Sequence, residues 1–255
     1  MPFRWPFRRS PDADPGDEAP GRGERTGPPG PRASALPGVT VHELRVLARE
    51  GPSLRAGAPR SAARDAATAL RILAPGGSLK EEARPGEGWA AFLIAGSVVA
   101  EASAPPLDAG DLVAFPAASG LSLGPAGDVG ALVLLDQAAA AGPAGRDVVR
   151  VVRRDALAGS GFAGVSGVRA VHRSGGSVAL RLGPPPGARW TVTGLRCLAV
   201  LRGKVTLYDG EEPRDVRALE VALVADPRAP LALQAGTDSS SAVGFGAEGV
   251  TIRLG

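Results

Sequence analysis

From Val39 onward, apolar and polar residues alternate in short runs separated by Gly and Pro. The runs are Val39 to Leu47, Ala67 to Leu73, Trp89 to Val99, Leu112 to Phe115, Leu121 to Leu123 and Gly130 to Leu135. They resume with Asp147 to Val152, Val168 to His172, Val178 to Leu182, a run closing on Gly203, Val221 to Val224 and Val250 to Leu254. A period of two over a few residues, bounded by turn formers, predicts half-buried strands of an all-β sandwich or barrel. Only Ala56 to Ala69 reads as a helix candidate.

The pattern occurs twice. Leu70 to Asp136 runs strand, Pro75-Gly76 turn, strand closing on Gly96, Gly110-Asp111 turn and strand to Pro116. Leu180 to Leu254 repeats this with Pro186-Gly187, a strand closing on Gly203 and a strand through Val221 to Val224. Leu121 to Asp128 matches Leu231 to Asp238, which fixes the register. Self-similarity at domain-sized spacing predicts a duplicated fold. The expected organisation is a tail at 1–38, a first barrel at 39–136, a linker at 137–146 and a second barrel at 147–255. The tail is rich in Pro and Arg and has almost no apolar periodicity, so it is expected to be disordered. Deleting residues 1 to 37 should therefore leave the thermal midpoint unchanged, and a fall of several degrees would place the tail in the structure. The alternation of Phe3, Trp5 and Phe7 with Pro and Arg would suit a docking peptide or a membrane-surface contact, but the preferred reading is an unstructured leader.

Composition narrows the function classes. The chain is 255 residues long, 44% hydrophobic, with a formal charge of +3. Its basic residues are scattered Arg, with Lys only at positions 80 and 204, which fits codon bias better than a nucleic-acid surface. The single cysteine, Cys197, lies in an apolar strand and reads as a small buried hydrophobe. No run approaches the length of a membrane span, and the N-terminus lacks the apolar stretch of a secretory signal, so the expected location is cytoplasmic.

Phe92-Leu-Ile-Ala-Gly96-Ser-Val98 followed by Leu107-Asp-Ala-Gly110-Asp111-Leu-Val-Ala-Phe-Pro116 resembles the cupin superfamily of jelly-roll barrels. Leu198 to Val205 and Leu219 to Val224 are the second-copy equivalents, the latter without the Gly-Asp turn. The resemblance implies a bicupin. In metal-binding cupins, two His and a Glu precede the Gly of the first motif, and a further His closes the second, together holding a divalent metal. Here Trp190 and Val192 stand at the two His positions of the second copy, Arg196 at the Glu and Leu231 at the last His. In the first copy, Ala83 and Pro85, or by another spacing Glu82 and Arg84, stand at the two His positions. Trp89 takes the place of the Glu and Leu121 that of the last His. Neither set can bind a metal, and no cofactor is expected. His42 and His172, the only histidines, lie outside these motifs and read as surface or half-buried strand residues.

Other chemistry is sparse. Gly159-Ser-Gly161-Phe-Ala-Gly164 has dinucleotide-loop spacing but is followed by a strand, so it reads as a loop. Asp108, Asp111 and Asp128 read as turn and capping carboxylates. Strand parity would put Trp190, Val192, Arg196, Leu198 and Val200 on one face, provided the strand is continuous. A small organic anion could then sit against Arg196 and Trp190. The alternate face is apolar too, so the strand could instead be buried on both sides with Arg196 at a wet end. The expected function is a metal-free, non-catalytic small-molecule-binding or protein-interaction module. The alternative is a cofactor-independent isomerase or epimerase, which needs a positioned His, Tyr or carboxylate inside a barrel, and a metal-dependent oxygenase comes last. Tyr208 has no evident partner. A homodimer is left open.

Overall fold

The computed structural model describes residues 38–43, 66–73, 76–82, 86–100, 105–115, 120–126, 130–139, 149–156, 159–174, 176–208 and 213–255. The expected tail lies outside them, apart from Gly38. The described residues form strands and turns, with no helix. The strands of the first half are β1 (Val39–Glu43), β2 (Ala66–Leu73), β3 (Leu79–Glu81), β4 (Glu87–Ala95), β5 (Ser97–Val99), β6 (Leu107–Asp108), β7 (Leu112–Phe115), β8 (Leu121–Pro125) and β9 (Ala131–Ala139). Those of the second half are β10 (Arg150–Val152), β11 (Ser160–Phe162), β12 (Val165–Ser174), β13 (Ser177–Leu182), β14 (Arg189–Arg202), β15 (Lys204–Tyr208), β16 (Pro213–Arg217), β17 (Glu220–Val224), β18 (Leu231–Ala235) and β19 (Ser241–Leu254).

A ten-stranded sheet runs β11-β12-β13-β19-β14-β18-β15-β16, with β17 paired to β14 and β1 to β17. A five-stranded sheet runs β10-β7-β4-β9-β2, and a four-stranded sheet β3-β8-β5-β6. Together they make two tandem jelly-roll barrels. The runs closing on Gly96 and Gly203 end where a side chain cannot follow. Both residues have positive φ (85° and 73°), and a Cβ would lie 2.5 Å from the Gly130 carbonyl oxygen at the first and 2.9 Å from that of Ser239 at the second.

Three apolar clusters result. One fills the second barrel and includes Trp190, Val192, Leu198, Val205 and Leu231. Another fills the first and includes Trp89, Leu93, Val113, Leu121 and Leu135. The third lies between the barrels, where Phe92, Ile94, Leu112 and Leu134 of the first half meet Cys197, Ala199, Val243 and Phe245 of the second.

The strands that open the two halves are exchanged. In β1, Thr40, Val41 and His42 face Leu223, Ala222 and Val221 of β17. In β10, Arg150, Val151 and Val152 face Ala114, Val113 and Leu112 of β7. The two registers are equivalent residue for residue, so each half completes a sheet of the other. Sequence order had put these strands with their own halves, whereas pairing follows the edge that each leaves open.

Three further expectations change. The tract Ala66 to Ala69, expected within a helix, is strand, because its backbone pairs with Leu135 to Ala138 of β9; Ala56 to Asp65 lie outside the described residues. Gln137 to Ala139 continue β9 opposite Glu87 to Trp89 and are not linker. Ser160–Phe162 of the expected glycine loop is a strand paired with β12, turning at Gly164. The run from Trp89 to Val99 divides at Gly96 into β4 and β5, where the strand was expected to close.

Candidate functional site

The second-barrel positions of the expected site are occupied by side chains that fill it. Val192 faces Leu231 across β14 and β18, and Trp190 faces Leu233 one pair further on. Trp190 and Val192 are each 1% exposed and Leu231 3%, all in one apolar cluster. Trp89 and Leu121 are buried in the interior of the first barrel, the Trp89 indole N–H donating to the Glu82 carbonyl at 3.3 Å. Glu82 itself is exposed, and Ala83, Arg84 and Pro85 lie outside the described residues. A cleft of about 30 Å³ opens beside Leu231, walled by Val39, Val224, Asp226 and Pro230. That is room for a water or two.

Arg196 departs from the expected arrangement. The continuous parity of β14 fails because its register against β19 shifts between Thr193 and Leu195 and again between Leu195 and Cys197. Gly194 permits the first shift: its φ is +94°, and a Cβ there would meet the Val250 Cα at 2.9 Å. A bulge of this kind re-aims a side chain. Leu195, Leu198 and Val200 point into the second barrel, Cys197 and Ala199 into the layer between barrels. Arg196 turns to Asp136, at the end of the apolar run of β9. The strand is thus buried on both sides, and Arg196, 8% exposed, is not at a wet end.

This pair is the centre of a buried polar cluster. Asp136 Oδ2 lies 3.3 Å from Arg196 Nη2 and accepts a hydrogen bond from the Ser177 hydroxyl, while Oδ1 accepts from the Thr68 hydroxyl at 2.7 Å. Arg196 Nη2 also donates to the carbonyls of Gly246 at 2.7 Å and Gly176 at 3.1 Å. Burial pushes the Asp136 carboxyl up, with Arg196, Ser177 and Thr68 pulling it back. Burial, then the Asp136 charge, push the Cys197 thiol up to about 12, so it is inert as a nucleophile. The anion pocket expected around Arg196 is therefore not formed: its charge is met by an internal carboxylate. Sequence reading missed Asp136, Thr68 and Ser177; the one signal was an acid closing the run Ala131 to Leu135.

Among the described residues, the other polar groups weighed from the sequence are engaged elsewhere. Asp111, expected as a turn carboxylate, accepts from the Asp108 and Arg154 backbone N–H groups and pairs with Arg153 at 2.9 Å. Tyr208 has a partner: its hydroxyl donates to Gln234 Oε1 at 2.8 Å, and the Arg189 guanidinium lies 5.8 Å above its ring. Asp128 lies outside the described residues. His42 and His172 sit on separate strands, half-buried. Among the described residues no group of three or more His, Cys, Asp or Glu is placed to hold a metal.

Burial, with Arg150 adding to the effect at His172, lowers both histidine pKa values from 6.5. A lowered folded pKa means that the unfolded chain takes up the proton first. The stability these residues contribute is complete above pH 6.5 and is lost as pH falls through the folded values. His172→Leu should flatten the acid limb of a stability-against-pH curve from urea melts; an unchanged slope would contradict this.

No family model matches the chain, and no curated protein matches it. Solved structures do. The putative glyoxylate-induced protein of Pseudomonas aeruginosa superposes with a TM-score of 0.64 at 14% identity, covering 89% of this chain and 93% of that one. A cupin 2 conserved barrel domain protein from Leptotrichia buccalis gives 0.55 at 15% identity, covering 84% and 98%. This chain has the cupin fold. A salicylate 1,2-dioxygenase from Pseudaminobacter salicylatoxidans shares the fold with a TM-score of 0.57 at 11% identity, covering 85% and 88%. At these identities the likeness is one of architecture. The metal that a cupin resemblance implies does not fit the residues at the second-barrel positions: the indole of Trp190 and the alkyl groups of Val192 and Leu231 have no lone pair to give, and Arg196 is a cation.

Proposed function

We propose that this chain is a metal-free, degenerate bicupin that works as a non-catalytic protein-interaction module. One observation carries the reading: the side chains at the ligand positions of the cupin motifs pack into the apolar clusters that fill the barrels. At the second-barrel ligand position itself, the cleft beside Leu231 measures about 30 Å³, a tenth of the roughly 300 Å³ at which small-molecule sites begin. A cofactor-independent isomerase would need a free acid or base in a barrel. The buried carboxylates among the described residues, Asp111 and Asp136, are both held in ion pairs.

Protein purified without chelator and dialysed should contain transition metal far below one equivalent per chain by elemental analysis. About one Fe, Mn, Ni or Zn per chain would overturn the proposal.

A further inference from the structure

We propose that Asp136 and Arg196 make the two halves of this chain non-interchangeable partners, so that the inter-barrel face of each half accepts the other half and rejects a second copy of itself. The halves are built alike. Ala90 faces Asp136 across β4 and β9, and Cys197 faces Phe245 across β14 and β19, at equivalent places in the two barrels. On the flanking strands Thr68 faces Asp136, and Ala179 faces Phe245. The exchanged strands β1 and β10 have the same register. By backbone alone, like halves could pair as readily as unlike ones, either between two chains or during refolding.

The side chains break this symmetry. Asp136 with Thr68 in one half corresponds to Phe245 with Ala179 in the other. The residue before Ala90 is Trp89, which points into the first barrel, where the ladder of β4 against β9 is regular. The residue before Cys197 is Arg196, which the bulge in β14 turns out towards Asp136. Two first halves would therefore bury two Asp136 carboxylates with no guanidinium to meet them. Two second halves would bury two Arg196 guanidiniums opposite Phe245. The mixed pair alone is neutral. A buried ion pair adds little net stability over an apolar pair of similar size, but one charge without its partner is strongly disfavoured, so the arrangement selects partners more than it stabilises.

The test uses the full chain with a protease site placed between residues 140 and 147. The protein is cut, unfolded in urea and refolded at high concentration, so that no tether favours mixed pairs, and native mass spectrometry reads which pieces come together. For the wild type, mixed pairs should exceed like pairs about a hundredfold or more. Asp136→Leu/Arg196→Met should match the wild type in urea stability and yield like pairs in amounts comparable to mixed ones. Like pairs in the wild type, purely mixed pairing in the double variant, or a double variant much less stable than wild type would each overturn the proposal. If the apolar pair does not fold, Asp136→Asn/Arg196→Gln keeps hydrogen-bonding groups without the charges and should lose discrimination in the same way. Failure of both pairs to fold would show a structural need and overturn it as well.

Discussion

Arg196→Met alone should lower the unfolding free energy at neutral pH by about 3–5 kcal/mol in urea or thermal melts. The loss comes less from missing contacts than from what remains. Asp136 has no exposed side-chain surface, and without Arg196 only the Thr68 and Ser177 hydroxyls face its charge. Burial would then push its carboxyl up without the opposing guanidinium. A folded carboxyl pKa raised above its unfolded value adds stability at low pH, which is lost as pH rises through the folded value. The deficit of Arg196→Met should therefore shrink on acidification until the other carboxylates titrate. Asp136→Leu, which strands a guanidinium that cannot give up its proton, should show a similar deficit at neutral pH and no such recovery. If Arg196→Met behaves as wild type at neutral pH, the pair is not buried as described.

Phe245→Ala and Phe92→Ala should each cost about 3–5 kcal/mol. Both rings are fully buried between the barrels, with centroids 5.3 Å apart and planes inclined by 45°. Because each ring is part of the other's wall, the first substitution already removes some of what the second would take away. The double variant should accordingly fall short of the summed losses by about 0.5–1.5 kcal/mol, the range of aromatic-pair couplings. Strict additivity would mean that the rings do not support one another. The measurement also reports on the joint between barrels, since neither ring reaches a barrel interior.

Much of the fold was legible because its signals are local. Period-two runs marked the strands, and Leu112 to Phe115 was delimited to the residue. Gly96, Gly110 and Gly203 marked breaks and turns, and all three have positive φ. The inward placement of Trp89, Trp190, Val192, Leu121 and Leu231 followed from motif spacing plus alternation. The failures share a cause in non-local pairing. Ala66 to Ala69 became strand because β9 was there to pair with it, which a segment read alone cannot reveal. The exchange of β1 and β10 leaves no mark on either strand. The error at Arg196 is the most instructive: Leu195, Cys197, Leu198, Ala199 and Val200 are apolar on both parities, so nothing in the pattern could report that a bulge had changed which way position 196 faces.

The pairing of Val39–Glu43 with Val224–Glu220 also sets a timetable for synthesis. The partner of Val39, Val224, is made 185 residues later, 224 minus 39. At about 5–20 residues per second the wait is roughly 10–40 s. During that interval β1 is an unpaired strand, and the first barrel lacks β10 along β7 until Arg150–Val152 emerges. Open edges of this kind invite pairing with other nascent chains. Yield in a producing cell should thus depend on translation speed and chaperone supply more steeply than the stability of the finished molecule suggests.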